Sequence, residues 1–266
     1  MMFIREYTDE IRIDENIINK YDMHSIAYFD IETTGFEKDK DYIILISLGF
    51  FNEEGRLTIK QYFAEELSDE HEVLHAFVSD LCRFSRWCSY NGLAFDEPFI
   101  VRRLQKNNIR YNVPAEHIDL YRMIRPYYKK LGMERCNLKT VEKFLGVERV
   151  DQIDGAISVE MYYQYLETKN DDIKDILMLH NYEDVLNLPR IFELIYKVES
   201  SDDIVRDDCI TEKQLSFLKS LVKKNKIELS VDMERISKKA ASKVIDAILK
   251  GSKDGAELSN IANSSY

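Results

Sequence analysis

Long apolar runs, paired cysteines and basic charge are what this sequence has least of. No stretch of its 266 residues approaches the ~18 uninterrupted apolar residues of a membrane span. Met1 to Asn16 sets Arg5, Glu6, Asp9, Glu10 and Arg12 among its few apolar residues, so neither a targeting segment nor a membrane partner is expected. Cys82, Cys88, Cys136 and Cys209 lie far apart without paired zinc spacing, and a chain of this length has no need of disulfide staples. A reducing, cytoplasmic setting is the expectation. Lysine and arginine number 37 against 48 aspartates and glutamates, for a net charge of −11. That balance argues against tight, salt-resistant grip on phosphate by the body of the chain. The deficit is uneven: residues 1–204 carry 25 basic groups against 39 acidic ones, whereas residues 205–266 carry 12 against 9.

The length suits one domain of ordinary size, residues 1–200, with a small basic helical appendage, residues 205–266. Apolar, β-branched and aromatic runs predict strands over 25–31, 42–51 and 57–63, close enough for a hairpin meander. Helical spacing of Val73, Leu74, Phe77, Val78 and Leu81 predicts a helix opening at Ser68 or Asp69. Residues 87–90 read as a short strand stopping at Asn91-Gly92, and a further helix starts near Asp96. Helices are expected over 138–145, closed by Gly146, over 157–167, and over 171–188, with Pro189 bending or breaking the last. This order implies an α/β fold, a mixed sheet flanked by helices. Ser200-Ser201-Asp202-Asp203 reads as a hinge. Beyond it two amphipathic helices are expected, one capped by Thr211 and one over 236–249 closed by Gly251, with the last dozen residues disordered.

Asp30 and Glu32 occupy alternate positions where an apolar strand runs out into a glycine turn. Residues two apart on a strand point to the same side, so both carboxylates can converge on one point. Asp96 and Asp184 could supply the remainder of a metal site. Four such acids repel, each pair by about 1 kcal/mol in water at ~4 Å and about four times that near a protein surface. Two divalent ions about 3.5 to 4 Å apart would relieve the repulsion, lower the pKa of water and stabilise a leaving oxygen on phosphorus. Oxygen-only ligands favour Mg2+ or Mn2+ over zinc. His180 stands one helical turn before Asp184, within reach of the same point, and an imidazole with an ordinary pKa near ~6.5 can act as general base. The chain thus reads as a nuclease. Each piece also has a blander reading: a surface acid pair, a boundary histidine, an Asp96 that caps its helix. The weight rests on their order along the chain.

Phe29-Asp30-Ile31-Glu32-Thr33-Thr34-Gly35 resembles the first motif of the DEDD exonucleases, and the stretch from Asn91-Gly92 to Phe95-Asp96-Glu97-Pro98-Phe99 resembles the second. The third motif departs from the commoner forms, which place a histidine five residues before the last aspartate or a tyrosine four before it. Here His180 holds the four-residue position, a departure that bears on its role as base. His180-Asn181-x-x-Asp184, with Asn137-Leu138-Lys139-Thr140-Val141-Glu142 and Leu145-Gly146-Val147-Glu148, is similar to the YprB-type ribonuclease H-like domain of bacteria over about residues 25 to 195. The resemblance implies a ribonuclease H-like sheet and two metal ions on Asp30, Glu32, Asp96 and Asp184. It also implies 3′-to-5′ removal of nucleotides, from single-stranded DNA ahead of RNA, with His180 as base. Thr33, Thr34 and Asn91 lie where such motifs approach a terminal nucleotide, and each could equally form a turn.

Several neighbours stay open between two roles. Asp119 reads as a structural cap rather than a fifth ligand, and Phe95 as core rather than a base-stacking platform. Arg102, Arg103, Lys129 and Lys130 are candidate guides for a strand. Lys223, Lys224, Lys226, Lys238, Lys239 and Lys243 could grip phosphate or simply face solvent. The rival to the enzyme is a catalytically silent ribonuclease H-like domain that binds nucleic acid or a helicase partner. Hydrolysis of a small phosphate ester is a third reading, without a recognisable pocket signal.

Overall fold

A computed structural model describes residues 1–151, 153 and 155–264. In chain order its elements are β1 (Phe3–Asp9), α1 (Glu15–Tyr21), β2 (Ile26–Thr33), β3 (Ile43–Phe51), β4 (Leu57–Phe63), α2 (Glu70–Leu81), β5 (Arg86–Ser89), α3 (Asp96–Lys106), β6 (Glu116–Asp119), α4 (Leu120–Ile124), α5 (Leu138–Phe144), α6 (Gly155–Thr168), α7 (Asp171–Leu186), α8 (Leu188–Glu199), α9 (Glu212–Asn225), α10 (Lys238–Leu249) and α11 (Gly255–Ser264). They fall into two compact units, residues 1–121 with 137–196 and residues 122–136 with 197–266. Among the described residues no helix is long and apolar enough to cross a membrane.

The first unit is built on a six-stranded sheet in the order β1-β4-β3-β2-β5-β6. The expected meander is there, β2 with β3 and β3 with β4 antiparallel, while β5 runs parallel to β2 and β6 parallel to β5. The sheet is therefore mixed, with helices on both faces. β1 pairs with β4 from Phe3↔Phe63 to Asp9↔Leu57, where the polar start gave no expectation of a strand. The reason is its place at the sheet's edge: Ile4, Glu6, Tyr7 and Thr8 are exposed, so the apolar alternation that marks a half-buried strand is missing.

Alternation along β2 sorts its side chains. Ala27, Phe29 and Ile31 enter a core with Val73, Leu74, Phe77 and Leu81 of α2 and Phe99, Ile100 and Leu104 of α3. A second core joins Ile44, Leu45 and Phe63 to Tyr162 and Tyr165 of α6 and Ile173, Leu177 and Met178 of α7. Each fully buried side chain of this size contributes about 1.5–3 kcal/mol. Gly49 of β3 lets α7 sit close, since a Cβ there would meet Cγ1 of Val185 at 2.7 Å.

α2 and α3 are tied by an ion pair, Arg103 Nη2 to Glu70 Oε2 at 2.6 Å, with each side chain only 4% exposed. Glu70 also accepts from the Ile43 amide at 2.8 Å and from Asn107 Nδ2 at 2.9 Å. This corrects the expectation for Arg103, which is enclosed and committed and cannot guide a nucleic-acid strand. The helix expected over 171–188 stops at Leu186, and α8 restarts at Leu188. Pro189 lies in the first turn of α8, where its missing N–H costs no intrahelical bond.

In the second unit Thr211 and Gln214 cap α9 reciprocally, each side chain accepting from the other's amide at 3.2 Å. Ser237 caps α10. The two helices expected here gain a third. α11 occupies the stretch read as disordered, because Leu258 and Ala262 are buried in a core with Leu218, Leu221, Ala240, Val244 and Ile248. Ser265 and Tyr266, the end of that stretch, lie outside the described residues.

Candidate active site

Because Phe29 and Ile31 face one core, Asp30 and Glu32 face the opposite side of β2, toward α7. The pairing of β2 with β3 shifts register between Glu32 and Thr33, a bulge of the kind that re-aims side chains at a strand's end. Asn181 of α7 donates from Nδ2 to Asp30 Oδ2 at 2.7 Å and accepts through Oδ1 from Ser47 of β3. Gln61 of β4 donates to Ser47 Oγ and to the Met178 carbonyl, both at 2.9 Å. A polar chain thus runs from β4 through β3 and α7 to Asp30, fixing that carboxylate against the sheet.

One turn of α7 carries His180 and Asp184. His180 Nε2 is 3.4 Å from Glu32 Oε1 and 3.6 Å from Asp184 Oδ2. Ligand atoms of Glu32, His180 and Asp184 all lie within 4.8 Å of one another. Asp96, the first residue of α3, accepts from the Ile31 amide through Oδ1 at 3.3 Å, so it is held beside the backbone between Asp30 and Glu32. Gly92 is required just before it, because a Cβ there would collide with Ser89 and approach Asp96 Oδ2 at 3.2 Å.

Packing carboxylates together out of water raises their proton affinity. Burial, then the charge of Asp184, pushes Glu32 up to about 8. Burial raises Asp96 to about 7 despite hydrogen bonds to backbone amides, with the charges of Asp119 and Asp184 adding to the rise. Asp30 is driven well above the ordinary carboxylate range by burial and then by Asp184, Asp96 and Glu32. Without a cation these acids tend to hold protons at neutral pH. An oxygen-rich donor set with this much unrelieved repulsion fits a hard divalent cation such as Mg2+ or Mn2+.

The sequence reading missed the positive partner of this cluster. Arg149, its side chain 7% exposed, donates from Nη1 to Asp184 Oδ1 at 2.6 Å and to both oxygens of Glu142 at 3.2 and 3.1 Å. Its Nη2 reaches Asp151 Oδ2 at 3.1 Å and the His180 carbonyl at 3.2 Å. Burial alone would lower the guanidinium's pKa, but Asp184 and Glu142 outweigh it and the net shift is upward. Asp151 Oδ2 lies 2.8 Å from His180 Nδ1. Burial raises Asp151, yet the bonds from His180 and the Ile153 amide and the nearby Lys139 hold it below its ordinary value. Arg149 and Asp151 directly follow the Leu145-to-Glu148 motif, and an acidic constellation with no cation of its own was the signal that could have drawn attention to them.

Other expected residues take definite places. Thr33 Oγ1 donates to the Gly35 carbonyl at 2.7 Å and Thr34 Oγ1 accepts from the Tyr42 amide at 2.9 Å. Both threonines are buried, and these bonds hold the turn. Asn91 is exposed and left-handed, with φ of 69°. Its amide and that of Leu93 donate to Asp119 at 3.0 and 3.3 Å, so Asp119 braces the loop leading to Asp96. Phe95 packs against the core, and its ring lies 5.9 Å from that of Phe36, which is 88% exposed beside the turn.

The sequence model of the RNase_H superfamily matches residues 27–196, a span that contains every residue of this constellation. The uncharacterized protein YprB of Bacillus subtilis (strain 168) is 29% identical over 177 residues, which is 65% of this chain and 42% of that protein. The chain therefore spans less than half the length of this curated relative. A solved structure, Brucella melitensis NrnC bound to pGG, aligns over 70% of this chain and 91% of its own at 14% identity, with a TM-score of 0.33.

Proposed function

Since the chain belongs to the RNase_H superfamily, we propose that it is a metal-dependent exonuclease that removes nucleotides from the 3′ ends of nucleic acid, single-stranded DNA ahead of RNA. The observation that carries this reading is the meeting of acids from β2, α3 and α7, with Glu32 and Asp96 raised to about 8 and about 7. Two ions, Mg2+ or Mn2+, held by Asp30, Glu32, Asp96 and Asp184, would supply charge neutralisation and Lewis acidity toward the phosphodiester. His180 Nε2 accepts the proton of the attacking water. Asn91 contributes to holding the terminal nucleotide, together with the backbone of the Thr33–Thr34 turn, and Phe36 offers an open ring against which a base can stack. The helical module over 205–266 serves as an accessory that adds grip through its lysines.

One observation favours the rival, a silent domain that binds nucleic acid or a helicase partner: Arg149 already pairs with Asp184. The two readings separate in one set of assays. Labelled single-stranded and duplex DNA and RNA, with either end blocked, are incubated with Mg2+, Mn2+ or chelator. Cation-dependent shortening from free 3′ ends is expected, lost by at least about 10²-fold in Asp30→Asn and Asp184→Asn and by about 10²- to 10⁴-fold in His180→Ala. Retained strand binding with no Mn2+ uptake by calorimetry and no shortening would leave the silent domain standing.

A further inference from the structure

The segment 149–151 touches α7 at Asp184 and Glu183 and, one turn earlier, at His180. Arg149 engages Asp184, the Val150 and Asp151 amides donate to Glu183 Oε1 and Oε2 at 3.0 and 2.8 Å, and the Asp151 carboxylate meets His180 Nδ1. Two adjacent amides on the two oxygens of one carboxylate fix the strap's position along the helix as well as its distance from it. Asp151 is itself immobilised. Its Oδ1 accepts from the Ile153 amide at 2.9 Å, and its Oδ2 faces Arg149 Nη2 at 3.1 Å and Lys139 Nζ at 3.2 Å.

We propose that Asp151 is the positioning residue for His180: it holds the ring proton on Nδ1 and leaves the Nε2 lone pair aimed between Glu32 and Asp184. A carboxylate and an imidazole nitrogen 2.8 Å apart need a proton between them. A neutral His180 therefore carries its single proton on Nδ1. On the other side Nε2 stands 3.4 and 3.6 Å from its two acidic neighbours, beyond ordinary hydrogen-bond length, and remains free to accept. When Nε2 takes a proton from water, the imidazolium that forms is stabilised by Asp151, which stays ionised, and the proton later leaves from Nε2 to solvent or the departing oxygen. Among the described residues, the titratable groups facing the ring nitrogens are Asp151 on one and Glu32 and Asp184 on the other. Without Asp151, Glu32 and Asp184 in their ionised forms would favour the opposite tautomer, turning a base into a donor. Only the kinetic consequence rests on the nuclease reading.

Nitrogen-15 spectra of the imidazole in the metal-free protein, followed upward in pH until the ring signals of the neutral form no longer change, test the tautomer directly. The expected wild-type spectrum shows His180 protonated at Nδ1 with Nε2 as the bare nitrogen, and Asp151→Asn moves the proton wholly or partly to Nε2. In the assay above Asp151→Asn loses about 10²-fold or more in kcat while KM stays within about threefold and Mn2+ binding persists. A wild-type ring protonated at Nε2 overturns the proposal, whether or not the variant folds. So does an Asp151→Asn protein with unchanged tautomer and unchanged kcat. A wild-type ring protonated at Nδ1 in a protein that cleaves no substrate supports the positioning role and defeats the nuclease reading instead.

Discussion

Phe36 exposes 88% of its surface one residue after the Thr33-Thr34-Gly35 turn, so its phenyl ring gains almost nothing from the core. Gly35 sets its place: a Cβ there would collide with Asp41, whose Oδ2 accepts from the Glu37 amide at 2.7 Å and closes the loop. The ring touches Phe95 edge-on and leaves a face open to solvent. A base stacked on such a face is held by about 1–3 kcal/mol. Phe36→Ala is accordingly expected to raise KM for oligonucleotides by about 5- to 100-fold with little change in kcat. Its stability should stay within about 0.5 kcal/mol of the parent. A fall in kcat at constant KM would assign the ring to the chemistry and remove it from binding.

Among the elements, α2 and α3 matter to the site because α3 delivers Asp96 at its first turn. Glu70 of α2 meets Arg103 of α3, the Ile43 amide that opens β3, and Asn107, so one carboxylate ties two helices to the sheet. Removing one partner of a buried pair typically costs about 3–5 kcal/mol, because the other charge is left uncompensated. Glu70→Ala is expected to lose about that much in denaturant unfolding, with each molecule that remains folded keeping its cation affinity. A loss below about 1 kcal/mol would show that the tie is peripheral. The same elements show what a linear reading can reach. β2, β3, β4 and α2 were legible because continuous apolar runs or helical spacing match their burial, and the spacing of Asp30 with Glu32 and of His180 with Asp184 states which side chains share a face. β1 and α11 were hidden, the first with no fully buried residue along its length and the second anchored by Leu258 and Ala262, with Ile261 partly buried, among polar neighbours. The strap over 149–151 was out of reach for another reason. Its partners lie up to 35 residues away, and nothing in its own pattern distinguishes a buried arginine from a solvated one.

At the scale of the whole molecule, whose net charge is −11, the buried acids gathered at the site link stability to pH and to cations. Glu32 and Asp96 have folded-state values of about 8 and about 7, raised above those of an unfolded chain. Groups raised in this way contribute stability that is fully present below the ordinary carboxylate range and lost as pH climbs through the folded values. The metal-free protein should therefore weaken between about pH 5 and about pH 8.5, by a few kcal/mol, since each tenfold change in proton affinity is worth about 1.4 kcal/mol. A divalent cation reverses this dependence, since it binds the ionised carboxylates and stabilises the folded state by about 2.7 kcal/mol at a hundredfold excess over Kd. Melting temperatures taken with chelator should fall across that window, whereas Mn2+ should raise them little at about pH 5 and most at about pH 8.5. Asp30→Asn, which removes one charge from the cluster, should flatten the fall in chelator and shrink the Mn2+ effect together. Chelator-treated protein that is as stable at the alkaline end as at the acid end, or an Mn2+ increment independent of pH, would mean that these carboxylates do not titrate as one repelling group and that their closeness is not what calls for a cation.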